Sequence, residues 1–167
     1  MTGWWVVAFV VQWILLLVLA VVVVALARQV GTLHLRLGPR GALEIDGEGP
    51  ALGEAPRPRL AHLYAGGRVS VGGPGPLRLV MFASPTCPIC MDVLSAIPAT
   101  AGAARAVAQV VHDGELERAW GVPGTPFFVV LDALGVVRAK GTANNLEQVE
   151  GLLDTARARM EEARWAS

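Results

Sequence analysis

The chain has 167 residues, with 14 basic and 14 acidic side chains and a formal net charge of zero. That balance gives no electrostatic basis for binding nucleic acid, and the length has room for one domain of moderate size. Only two cysteines are present, so a fold stapled by several disulfides is excluded. Lys140 is the single lysine in a chain rich in Arg, Ala, Gly and Val, which reads as coding bias.

From Gly3 to Ala27 the sequence is apolar and carries no formal charge, with Gln12 as its one strongly polar side chain. A helix of that length crosses a hydrocarbon core of about 30 Å. Trp4 and Trp5 suit one interface, and Arg28-Gln29 suits the other. A cleaved signal peptide is the competing reading. The run is long for such a segment, no basic region precedes it, and no small-x-small site follows, so an uncleaved anchor is expected. Val30, Leu33 and Leu37 keep helical spacing opposite Arg28, His34 and Arg36, which predicts an amphipathic extension ending at Gly38-Pro39. Residues 1–37 thus form the expected anchor. Residues 38–59, rich in Gly, Pro, Ala and Glu, are expected to act as a linker to a globular domain over 60–167.

Within that domain Arg68–Val71 reads as a short strand before Gly72-Gly73-Pro74, and Leu77–Ala83 as a buried central strand. A helix follows from Cys87 to about Thr100, bent at Pro98. Ala106–Val111 is a strand, Glu115–Trp120 a short helix, and Phe127–Leu131 a second apolar strand. Val136–Gly141 pairs back on it as a hairpin. Asn144 and Glu147 resemble a capping box opening a long helix, with Leu146, Val149, Leu152, Leu153, Ala156 and Met160 on its inner face. This order predicts a three-layer α/β fold.

The chemistry centres on Ser84-Pro85-Thr86-Cys87-Pro88-Ile89-Cys90. With Cys87 as N-cap, Pro88 takes the first helical position, where its missing N–H costs nothing. The Cys87 sulfur then faces unpaired N–H groups and the positive end of the helix dipole, a setting that favours thiolate. Cys90, one turn on, is the expected resolving thiol. Two buried apolar thiols and half a zinc site are the competing readings; three scattered histidines do not complete a zinc site, and redox function is expected, with no metal and no cofactor. His112-Asp113 reads as a surface turn, Trp120 as core, and His62, His34 and Asp92 as solvated.

A central strand ending in Cys-x-x-Cys, with Thr125-Pro126 before a later strand, resembles the thioredoxin fold. The resemblance implies a cis Pro126 against the disulfide, with Thr125 and Pro126 offering backbone groups to a client strand. Two departures are evident: Thr86 stands where thioredoxin has Trp, and Met81 where it has a buried carboxylate. Four blocks narrow the resemblance: Arg28-Gln29-Val30-Gly31-Thr32-Leu33-His34 with Gly41-Ala42-Leu43, the cysteine block, Val137-Arg138-Ala139-Lys140-Gly141, and Asn144-Asn145. Together they are similar to the methylamine utilisation family MauD, although the stretch between the active-site helix and Thr125 is shorter here. The resemblance implies a thiol–disulfide oxidoreductase or isomerase, anchored by one membrane pass. Its implied client is a secreted, disulfide-rich protein such as the small subunit of methylamine dehydrogenase, and an integral membrane protein is a candidate redox partner.

Two further readings stand beside this one. One is a TlpA-like reductant for cytochrome c maturation; the other is a non-catalytic scaffold that presents a client at the membrane. Pro-Ile between the cysteines lacks both the histidine of strong oxidants and the Gly-Pro of reducing thioredoxins, which predicts an intermediate potential. On topology two signals conflict. Arg28, Arg36 and Arg40 follow the apolar run, which by charge alone places the domain in the cytoplasm. Disulfide chemistry and the resemblance place it in the periplasm, and that side is the expectation.

Overall fold

The computed structural model describes residues 3–36 and 44–165 and divides into two units, each treated by itself. The first is helix α1, Gly3–Arg36. Its 21-residue segment Gly3–Val23 is long and apolar enough to cross a membrane, at about 1.5 Å of rise per residue. The helix continues without a break past Ala27. The expected stop at Gly38-Pro39 and the block Gly41-Ala42-Leu43 lie outside the described residues.

The second unit is built on a four-stranded sheet, in the order β4-β3-β5-β6. Its strands are β3 (Arg78–Phe82), β4 (Val107–Val111), β5 (Phe127–Leu131) and β6 (Val137–Thr142). β3 and β4 run parallel, while β3–β5 and β5–β6 are antiparallel. β3 and β5 are buried along their whole length, the result of continuous apolar runs covered on both faces. On one face Leu79, Met81, Phe128 and Val130 pack under α2 (Pro88–Leu94), α3 (Ile97–Ala103) and α5 (Leu146–Trp165). On the other, Val80, Phe82, Phe127 and Val129 meet α4 (Gly114–Trp120) and a hairpin of β1 (Arg59–His62) and β2 (Arg68–Val71). The three-layer α/β expectation therefore holds.

Three local expectations are corrected. The active-site helix is two helices, because the chain breaks at Ser95-Ala96 and Pro98 opens α3 instead of bending α2; proline is accommodated in a first turn and not in an interior. β1 is a strand that its short, polar-flanked sequence did not announce. The cap of α5 sits one residue later than expected: Asn145 Oδ1 accepts from the Gln148 N–H (2.9 Å), and Gln148 Oε1 accepts from the Asn144 N–H (2.7 Å).

The stretch expected to link, 38–59, is in its described part hydrogen-bonded along the domain. Gly49 N–H donates to Gly121 O, Gly53 N–H to Val137 O and Val137 N–H to Glu54 O, each at 2.8–2.9 Å. The buried Lys140 ammonium donates to Glu48 O at 2.6 Å, and Arg159 holds both carboxylate oxygens of Glu44. Gly49 has φ +67°, and a Cβ there would lie 2.6 Å from the Phe127 ring. That ring is 1% exposed and cannot swing away. Gly49→Ala should therefore cost about 1–3 kcal/mol, from overpacking and an unfavourable φ. The denaturation midpoint of the full chain in detergent measures it; an unchanged midpoint would show that this segment does not support the domain.

Candidate functional site

The site forms where β3 ends. Ala83 N–H still donates to Val111 O (2.9 Å), and the chain then turns through Ser84-Pro85-Thr86. Ser84 Oγ accepts from the Thr86 N–H (3.3 Å) and lies 2.9 Å from Thr86 Oγ1, while Cys87 N–H donates to Ser84 O (3.1 Å). Cys87 is extended (φ −95°, ψ 106°) and caps α2, with Pro88 in the first turn. Its Sγ accepts from the Cys90 N–H at 3.1 Å, so sulfur occupies the place of a capping oxygen. Cys87 and Cys90 form a disulfide. Cys90 is 1% exposed and packs with Met81, Val93 and Phe128, whereas Cys87 is half-buried. One sulfur can be approached from solvent and the other cannot.

The β3–β5 register pairs Phe82 with Phe127, which sets Thr125-Pro126 at the same end of the sheet as the cysteine turn. The Thr125–Pro126 peptide is cis, and Thr125 O lies 3.6 Å from Cys87 Sγ. Pro126 is buried and Thr125 half-buried. The structure thus brings Cys87, Cys90, Thr125 and Pro126 together. Met81, at the position of the missing carboxylate, is fully buried among apolar side chains on the face that holds Cys90.

On the opposite flank the ends of β1 and β4 converge. His112 N–H donates to His62 O, and Tyr64 N–H to Val110 O, both at 3.0 Å. Asp113 caps α4, its Oδ1 accepting from the Glu115 and Leu116 N–H groups and its Oδ2 from the His62 N–H. The Leu116 N–H, with those of His62 and Glu115, holds the carboxyl below the ordinary carboxylate range against a partly opposing burial effect. Stability from this cap is full above that ordinary range and is lost as pH falls through the depressed value. His112, expected as a surface turn, is exposed, yet its Nδ1 lies 3.0 Å from Ala83 O. A carbonyl only accepts, so Nδ1 carries the proton and Nε2 is open. Trp120 is core, edge-on to Phe82.

Sequence reasoning missed Tyr64 and Met91. The Tyr64 hydroxyl donates to Met91 Sδ at 3.3 Å, and its ring meets His112 edge-on at 6.5 Å, forming a shoulder beside the disulfide. A separation of 27 residues leaves no local signal for that contact. Among the described residues no cluster could hold a metal ion.

No protein-family model matches the chain. Curated relatives do. The methylamine utilization protein MauD of Methylorubrum extorquens is 34% identical over 171 residues, covering 87% of this chain and 83% of that protein. MauD of Paracoccus denitrificans is 34% identical over 185 residues, covering 94% and 91%. Among solved structures, a chain assigned as the thiol:disulfide interchange protein DsbE of Chlorobium tepidum aligns with TM-score 0.53 and 16% identity, covering 66% of this chain and 99% of that one. One assigned as a protein disulfide isomerase of Bacteroides thetaiotaomicron aligns with TM-score 0.51 and 12% identity, covering 70% and 94%. At such identities these two structures speak to the fold, which is thioredoxin-like.

In the reduced protein the capped, accessible Cys87 should react first. Limiting iodoacetamide is expected to alkylate Cys87 well before Cys90. Peptide mapping after a short pulse reads the order, and equal labelling of both sulfurs would contradict it.

Proposed function

The chain belongs to the MauD family, and from that premise we propose that it is a membrane-anchored thiol–disulfide oxidoreductase or isomerase that helps a secreted, disulfide-rich client mature. One observation carries the reading: an accessible sulfur caps a helix directly above a sealed second sulfur. In the reducing direction the Cys87 thiolate attacks a client disulfide. A bond forms between Cys87 and one client sulfur, and the other client sulfur leaves as a thiolate that takes a proton from solvent. Cys90, on losing its proton, then attacks Cys87 Sγ, closes the intramolecular disulfide and releases the second client thiol. The reverse sequence passes the disulfide to a reduced client. If another client cysteine attacks the mixed disulfide first, the client is isomerised with no net redox change.

The Thr125 and Pro126 backbone supports this reading as the surface on which a client strand lies during exchange. The apolar segment Gly3–Val23 supports a single membrane pass. We place the domain on the periplasmic side, where a disulfide persists. In that compartment the methylamine dehydrogenase small subunit is the client that the family resemblance favours, and an integral membrane dithiol protein is the class of partner that would reset the pair.

Cys87→Ser should reduce disulfide exchange with insulin to the uncatalysed rate, whereas Cys90→Ser should accumulate a mixed disulfide in the native host. Non-reducing electrophoresis and mass spectrometry of the trapped species identify the client. Undiminished activity of the Cys87→Ser protein would exclude exchange at this site and leave a scaffold role. Capture of a cytochrome c maturation component would favour the TlpA-like reading.

A further inference from the structure

An open cleft of about 570 Å³ lies between the β1–β2 hairpin and the start of α4, lined by His62, Arg68, His112, Asp113, Glu115 and Arg118 among others. Its polar groups are unevenly available. Both Asp113 oxygens are occupied by the backbone N–H groups of His62, Glu115 and Leu116. Arg68 and Arg118 are exposed, and neither has an ion-pair partner among the described residues. Glu115 is thus the one open carboxylate facing two guanidinium groups, each with five donors and no acceptor. The formal charges of Arg68 and Arg118 are matched by Asp113 and Glu115, but the groups without a bonding partner are mostly donors.

A relay of contacts connects it to the residue beside Cys90. His112 belongs to the cleft wall and touches Tyr64, and the Tyr64 hydroxyl is bonded to Met91, the residue after Cys90. Met91, on this route, is 54% accessible. A polypeptide whose cysteine is engaged at Cys87 can run across this shoulder into the cleft.

We propose that the cleft is a second client subsite, which binds an acidic segment a few residues from the client cysteine, across the shoulder formed by Tyr64 and Met91. Bidentate pairing of Arg68 and Arg118 with client carboxylates fixes which disulfide is presented to Cys87. The inference rests on the proposed thiol–disulfide exchange. It goes beyond it in naming the sequence chemistry that selects a client.

The test uses the full chain in detergent, with two disulfide-linked peptides that differ only in carrying Glu-Glu or Gln-Gln four residues from the cysteine. Oxidised glutathione serves as a small substrate with no polypeptide arm beyond the immediate neighbours of its cysteine. The wild-type chain should prefer the acidic peptide, and that preference should fall with added salt. Arg68→Glu with Arg118→Glu should lower kcat/KM for the acidic peptide about tenfold or more, while leaving the glutathione rate and the Gln-Gln peptide unchanged. Equal rates for the two peptides in the wild-type chain would overturn the proposal with exchange intact. Loss of glutathione exchange in the wild-type chain would instead defeat the exchange reading itself. Binding to anionic vesicles that the double variant abolishes, with peptide rates unaltered, would assign the cleft to lipid and also overturn it.

Discussion

The site depends on one pairing: β3 lies antiparallel to β5 with Phe82 opposite Phe127. The turn to Cys87 leaves the end of one strand, and Thr125-Pro126 leads into the other. Five residues after Phe82 comes Cys87, and directly before Phe127 comes Pro126, so the register brings the sulfur and the Thr125 carbonyl to the same end of the sheet. A slip of one residue would turn every side chain of β5 to the other face and break both apolar layers at once. Phe127, Val129 and Leu131 face the hairpin and α4, while Phe128 and Val130 face α2, α3 and α5. The two strand ends that carry the candidate site are thus held by the burial of the whole core.

The second constraint is how the chain leaves β3. A helix that begins in a cysteine is missing the oxygen that normally accepts its free N–H groups. Here the Cys87 sulfur fills that place for Cys90 N–H. The contact fixes the sulfur's direction and favours negative charge on it, so one interaction serves both the helix and the chemistry.

Much of this was legible in the sequence, for reasons that can be named. The continuous apolar runs at 77–83 and 127–131 have no other use than a strand covered on both faces. The Cys-Pro-x-Cys spacing encodes its own cap. What stayed hidden is non-local. β1 is four residues long and mostly exposed, so no periodicity marks it, and its partner β2 decides its structure. The stretch 38–59 reads as a linker because its Gly and Pro content suppresses regular elements. In its attachment the Glu48 carbonyl accepts from Lys140 and the Gly49 N–H donates to the Gly121 carbonyl, and composition does not record such bonds. Tyr64, Met91 and His112 meet only because β1 continues along β4, and nothing near any of them announces the others.

The asymmetry of the two sulfurs bears on the direction of the chemistry. Cys90 lies in an apolar cluster with Met81, Val93 and Phe128. A thiolate in such surroundings lacks the solvation that water or a polar partner would give it. Met81, a thioether, cannot take its proton. Under the proposed reading, then, the first attack, by Cys87, is assisted by the helix cap, and the second, by Cys90, has no comparable help. A slow second step prolongs the mixed disulfide and gives a third cysteine on the client time to attack it. That order of rates favours rearranging a client's disulfides over reducing them, and it suits a client with many cysteines better than one with a single bond to break.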